Sequence, residues 1–88
     1  MKTEFLKQFN KDLHKITFEK VKNEIYDVII NVETSEKTSE IKNLKKLPAF
    51  KNAYRIKTGD YRIGVFIENN TVEFVRILHR KDIYKVFP

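Results

Sequence analysis

The sequence predicts an α+β fold: a short N-terminal strand and a helical hairpin packed on a mainly antiparallel sheet of about four strands, in two layers. Three observations lead there. Apolar residues recur at helical spacing through residues 5–32. From residue 53 they alternate with polar residues instead, the period of a half-buried strand. Two turn-forming pairs, Gly59-Asp60 and Asn69-Asn70, cut that second region into three runs. The 88 residues suit one domain over 1–88.

"MKTEFL" alternates briefly and is read as the first strand. Phe5, Phe9, Leu13 and Ile16 then form one helical stripe, at spacings of four and three. Thr17 is the expected N-cap of a second helix, without a capping box because Lys20 stands where an acid would serve. Phe18, Val21, Ile25, Val28, Ile29 and Val32 continue the period. Residues 33–40 are polar and read as helix end and loop, and Pro48 stops any helix after it. Strands are expected at about 53–58, 61–68 and 71–79.

A two-residue turn at Gly59-Asp60 sets Lys57 opposite Arg62 and Arg55 opposite Gly64. Tyr54, Ile56, Ile63, Val65 and Ile67 then share the face that the helices cover. The same rule at Asn69-Asn70 sets Val72 opposite Ile67 and Phe74 opposite Val65. It sends Glu73, Val75, Ile77 and His79 to the open face and Arg76 to the edge of the covered one. Like charges directly opposite cost up to ~1 kcal/mol, so Lys57 facing Arg62 calls for an anion above them.

Charge distribution agrees. The net charge is +6, with +2 in residues 1–50 and +4 in residues 51–88. All four Arg (Arg55, Arg62, Arg76, Arg80) lie in the second part, while the first uses Lys alone. Arg presents a planar fork that fits phosphate oxygens, so a nucleic acid on the strand-rich half is the expected ligand. Cys is absent, which excludes disulfides and thiolate sites and suits the cytoplasm. No apolar run reaches ~18 residues and no signal peptide is visible, so no membrane partner is expected.

The residues just placed carry a resemblance. Tyr54-Arg55-Ile56-Lys57, Gly59-Asp60-Tyr61-Arg62 and His79-Arg80-Lys81-Asp82-Ile83-Tyr84, preceded by a helical hairpin, resemble the RelE/ParE superfamily of toxins from bacterial toxin–antitoxin pairs. The likeness spans nearly the whole chain. It implies a RelE-like fold and the toxin role of a type II system. The RelE branch cuts messenger RNA in the ribosomal A site, and the ParE branch poisons DNA gyrase. The RelE pattern maps onto Arg55, Lys57, Arg62, Arg80 and Tyr84, with Arg55 where Lys is common. ParE-like chains generally lack the C-terminal Arg/Tyr pair and continue as a helix, whereas this sequence stops at Pro88, so the ribonuclease branch is favoured. The implied partners are a cognate antitoxin, the ribosome and mRNA.

Metal-free cleavage through the RNA 2′-OH needs a base, a cation for the phosphorane and an acid for the 5′ oxygen. There is no His pair, the only histidines being His14 and His79, and no metal-spaced acid cluster, so no metal or other cofactor is expected. Arg62 and Arg80 are the expected phosphorane clamp. Lys57 is either base or phosphate-positioning group. Tyr84 is base, acid or packing residue, its phenol tuned by nearby Arg. Arg55, His79 and Lys81 are the expected RNA contacts, with His79 also open to an acid–base role, and Phe66 is either a base-stacking or a packing ring. Two other functions remain open: a ParE-like gyrase inhibitor and a basic RNA-binding protein that does not cut.

Overall fold

A computed structural model describes Met1–Pro88. The elements run β1 (Lys2–Phe5), α1 (Lys7–His14), α2 (Glu19–Thr34), β2 (Leu44–Lys46), β3 (Ala53–Thr58), β4 (Tyr61–Glu68), β5 (Thr71–His79) and α3 (Ile83–Val86), with a 3-10 turn at Thr38–Glu40. One five-stranded sheet has the order β1-β5-β4-β3-β2. β1 is parallel to β5, and every other pairing is antiparallel. No helix is long and apolar enough to cross a membrane.

The helical face of the sheet is the main core. Ile56, Ile63 and Val65 are fully buried there under Phe9 of α1 and Ile25 and Val32 of α2. The registers of both hairpins are as expected: Lys57 faces Arg62, Arg55 faces Gly64, Val72 faces Ile67 and Phe74 faces Val65. Asn69 and Asn70 both take positive φ, which the short turn demands and Asn tolerates.

Five expectations are corrected. The sheet has five strands, because the three-residue β2 adds to the edge beyond β3. Phe5 belongs to β1 rather than the helical stripe, and reaches the core by stacking on Phe74 at 4.9 Å. The second helix begins one residue later than the Thr17 cap allows; Phe18 is its boundary residue and is 74% exposed, so it leaves the stripe. A bulge separates Gly64 and Val65 along the β4–β5 ladder: Gly64 faces Arg76 while Val65 faces Phe74, leaving Val75 as the extra residue. Parity therefore flips after Val75, and Ile77 is buried in the main core instead of open. Finally, α3 closes part of the open face, where Leu47, Ala53, Ile83 and Phe87 form a second cluster with Phe66, Val75 and Leu78 against it.

One buried carboxylate ties α1 to β5. Asp12 accepts from Arg76 Nε at 2.7 Å, Arg76 Nη2 at 3.2 Å, the Ile77 backbone N–H at 3.1 Å and Gln8 Nε2 at 3.2 Å. Burial pushes its carboxyl up, but the hydrogen bonds from Arg76, Ile77 and Gln8, with the Arg76 charge, outweigh burial and leave it below the usual 3.8.

Two outcomes follow for stability. Ile63→Ala removes a fully buried aliphatic and is expected to cost ~2–5 kcal/mol in denaturant unfolding; unchanged stability would mean that the wrong sheet face has been assigned to the core. Asp12→Ala leaves Arg76 without its partner and is expected to cost ~3 kcal/mol, the low end for a broken buried pair because Arg76 keeps 22% of its side chain exposed. Because the folded pKa of Asp12 is depressed, its contribution is fully present above the unfolded value near 3.8 and is lost as pH falls through the folded one. Acid unfolding below about pH 4 should accordingly be less steep in the variant than in wild type.

Candidate active site

The far face of the sheet, away from α1 and α2, carries the cations. Ladder pairing puts Lys45 of β2 opposite Arg55 of β3, and Lys57 of β3 opposite Arg62 of β4. Two like-charge pairs thus stand side by side. They line a depression of about 210 Å3 with Asn43 and Tyr84. No acid lines it. Glu24 and Asp27 of α2 line a separate groove that shares Asn43 and Lys57 with the depression, and neither forms an ion pair with Lys57.

Arg62 is anchored by the backbone of its own turn. Its Nη1 donates to the carbonyl oxygens of Gly59 and Tyr61, at 2.9 Å each, which fixes the guanidinium at the β3–β4 turn and leaves Nε and Nη2 for a ligand. Arg55 lies over the Tyr84 ring, 4.3 Å from its centroid. Hydrogen bonding from Arg55 to the ionised oxygen, then the Arg55 charge, hold the Tyr84 phenol below its ordinary 10.0, with Arg62 and Lys45 adding to the pull. The neutral phenol is stacked on the guanidinium without a hydrogen bond to it, so the hydrogen-bond share of this effect belongs to the phenolate.

Four of the seven residues expected from the sequence therefore meet: Arg55, Lys57, Arg62 and Tyr84. Three do not line the depression. The bulge turns His79 to the helical side, where it pairs with Tyr61 and packs edge-on to its ring at 5.9 Å, and its Nδ1 accepts from the Lys81 N–H. Arg80 and Lys81 are exposed on the following turn. The Arg80 N–H donates to Asp60 O at 2.8 Å, so Arg80 flanks the turn that holds Arg62, with its guanidinium unpaired. Phe66 packs on Phe87 at 5.3 Å, which makes it a packing ring. Sequence reasoning missed Asn43 and Lys45. Asn43 takes φ 60, and its carbonyl accepts from Lys57 N–H, which swings β2 into the sheet and Lys45 onto the cationic face. The Leu44-Lys45-Lys46 run is too short to show a strand period, so only the pair of lysines could have signalled it.

Comparison with known proteins gives the same frame. A model of the ParE toxin of type II toxin–antitoxin systems (parDE) matches residues 3–84. Over the whole of both chains, the protein is 38% identical to Toxin RelE3 of Methanocaldococcus jannaschii. The RelB-RelE antitoxin-toxin complex from Methanococcus jannaschii contains a chain 37% identical, with TM-score 0.80 and coverage of 97% of this chain and 99% of that one. The archaeal RelE-RelB complex from Pyrococcus horikoshii OT3 matches at TM-score 0.72 and 18% identity, over 90% of this chain and 93% of that one, a likeness of fold alone. Fold and cationic face together define the class, a small basic toxin built on a two-layer α+β domain. The chain belongs to the RelE/ParE superfamily and is the toxin component of a type II toxin–antitoxin system.

The like-charge ladder sets a testable trade. Lys57→Glu converts the Lys57–Arg62 pair to an attractive one and is expected to stabilise the free protein by up to ~1 kcal/mol while reducing its retention on a polyanion such as heparin. Thermal unfolding and salt elution measure the two. A variant that loses stability and keeps its retention would remove Lys57 from the anion site.

Proposed function

We propose that the protein is a cytoplasmic, metal-independent mRNA endonuclease that acts on the ribosome. The observation that carries this reading is an ionisable phenol of lowered pKa stacked on a guanidinium within a ring of cations. Four cations around a single phenol disfavour a metal ion and suit a polyanion whose own 2′-OH is the nucleophile. The Tyr84 phenolate takes the 2′-OH proton. The freed oxygen attacks the adjacent phosphorus in line. Arg62, through Nε and Nη2, stabilises the phosphorane, with Arg80 closing in from the flank and Arg55 and Lys57 positioning the phosphate. The 5′ oxygen leaves with a proton from the Lys57 ammonium. The products are a 2′,3′-cyclic phosphate and a free 5′-OH. His79, on the helical side, and Lys81, on the turn after β5, touch no reacting atom in this scheme.

None of these groups is an ideal acid or base at neutral pH, so catalysis depends on a partner that holds the RNA in line, the role assigned to the ribosome. A cognate antitoxin would silence the protein by covering the cationic face or displacing α3. Support comes from the 37% identical chain solved in an antitoxin-toxin complex.

Single-turnover cleavage on programmed ribosomes tests the assignment. Tyr84→Phe and Arg62→Ala are each expected to slow cleavage ~100-fold or more, and Arg80→Ala similarly if its guanidinium closes on the phosphorane. Wild-type rates in Tyr84→Phe and Arg62→Ala would remove both from the site. Intact mRNA with stalled gyrase would favour the gyrase-directed reading, to which the ParE family match also points. RNA that is bound and never cut would favour a non-cleaving basic protein. The pH profile adds a sign. Arg55→Gln removes the main cause of the lowered Tyr84 pKa, so the rise of cleavage rate with pH should move to higher pH. An unmoved profile would mean that Tyr84 is not the base.

A further inference from the structure

We propose that Phe87, seated on Gly64, is a positioning residue for Tyr84: the ring-on-glycine socket sets the phenol over Arg55. The inference rests on the reading of Tyr84 as the proton-moving group.

Gly64 is buried in the middle of β4, and its backbone does not require glycine, because Gly59 is the glycine with positive φ. The requirement comes from above. A Cβ at Gly64 would lie 2.5 Å from two ring carbons of Phe87 and 2.8 Å from a third, closer than any van der Waals contact allows. The Phe87 ring therefore occupies the space that a side chain would fill. Gly64 is also the ladder partner of Arg55, so the ring enters the sheet face beside the guanidinium that carries Tyr84.

α3 has little else to hold it. Four residues are far below the length at which a helix sustains itself. Its ion pair, Lys85–Asp82, is exposed and 3.9 Å long. Its anchors are Ile83 and Phe87, one turn apart on the same side, with the Phe87 N–H donating to Ile83 O at 3.0 Å. Tyr84, next to Ile83, projects from the other side into the depression. Phe87 thus fixes the turn that aims the phenol. The main core lies on the opposite face of the sheet and contains neither Ile83 nor Phe87, so loss of the socket leaves that core intact. The groups facing Tyr84 from the sheet are Lys45, Arg55, Lys57 and Arg62, with Asp82 and Lys85 on its own segment.

The test reads the phenol itself. In free protein carrying 13C-labelled tyrosine, the Tyr84 ring signal is assigned with Tyr84→Phe and titrated by NMR in wild type, Phe87→Leu, Phe87→Ala and Gly64→Ala. Tyr84 is expected to titrate below 10.0 in wild type and in Phe87→Leu, which keeps an apolar plug. In Phe87→Ala and in Gly64→Ala it is expected to move back toward 10.0, with the far-UV circular dichroism of the helices and sheet unchanged. Cleavage on ribosomes should fall ~100-fold in those two variants through kcat, with KM unchanged, matching Tyr84→Phe. A Tyr84 titration that stays put in both variants overturns the socket, whatever happens to the rate. The titration needs no substrate. A wild type that cuts nothing while the titration shifts stand would sink the nuclease reading and leave the socket's hold on the phenol supported.

Discussion

The carboxylate of Asp12 is the buried charge on which both layers turn. β1 runs out opposite Phe74, and the next part of β5 would face that edge with unpaired backbone groups. Asp12 supplies the missing acceptor to the Ile77 N–H and captures Arg76 in the same step. The strand can then bulge at Val75 without leaving the sheet. The bulge sends Ile77 into the main core and leaves Val75 and Leu78 against the second cluster on the far face. Those two side chains, with Phe66 and Ala53, make the floor on which Ile83 and Phe87 rest. A contact between α1 and β5 is therefore upstream of where Tyr84 sits, although Asp12 and Tyr84 lie on elements at opposite ends of the chain.

The cationic face is built against its own stability. Lys45 with Arg55, and Lys57 with Arg62, are like charges across ladders, and neither pair has a carboxylate partner. Two local devices reduce the cost. The carbonyls of Gly59 and Tyr61 accept from Arg62, and the Tyr84 ring offers its π face to Arg55. Both devices leave guanidinium N–H groups free, so they soften the repulsion without filling the site. The residual repulsion is what a bound anion would relieve, so an arrangement unfavourable in the free protein suits the phosphate-binding role proposed for it.

Most of the sheet was legible in the sequence because β3, β4 and the first half of β5 alternate and their turns carry Gly59, Asn69 and Asn70, residues that tolerate positive φ. With the first turn fixed, the Lys57–Arg62 pairing followed from period-two geometry, and with it half of the site. The failures share a cause. β2 has three residues and α3 has four, each too short to repeat the period of its own pattern twice. Lys45 and the apolar plug of Phe87 were lost with them. The bulge was invisible because Val75, Arg76 and Ile77 give no turn signal; what makes room for it is Asp12, more than sixty residues earlier. His79 was misplaced for that reason alone. Phe18 misled because an aromatic at the right spacing looks like core even where the helix has not yet begun.

The reactive candidate is carried by the least anchored element, and this separates two demands. Arg55, Lys57 and Arg62 stand on central strands whose ladders and main core hold them to the sheet, as phosphate-positioning groups require. Tyr84 stands on a turn of helix held by two apolar side chains in a four-residue cluster, so its local stability is small beside that of the core. A partner that competed for Leu47, Ala53 and their neighbours could withdraw the phenol and leave the cations standing. The protein would then still bind a polyanion through the strands, but would lack the group assigned to move the proton. On the proposed reading, binding and proton transfer would be separable, because the cationic strands rest on one apolar cluster and Tyr84 on the other, one on each face of the same sheet.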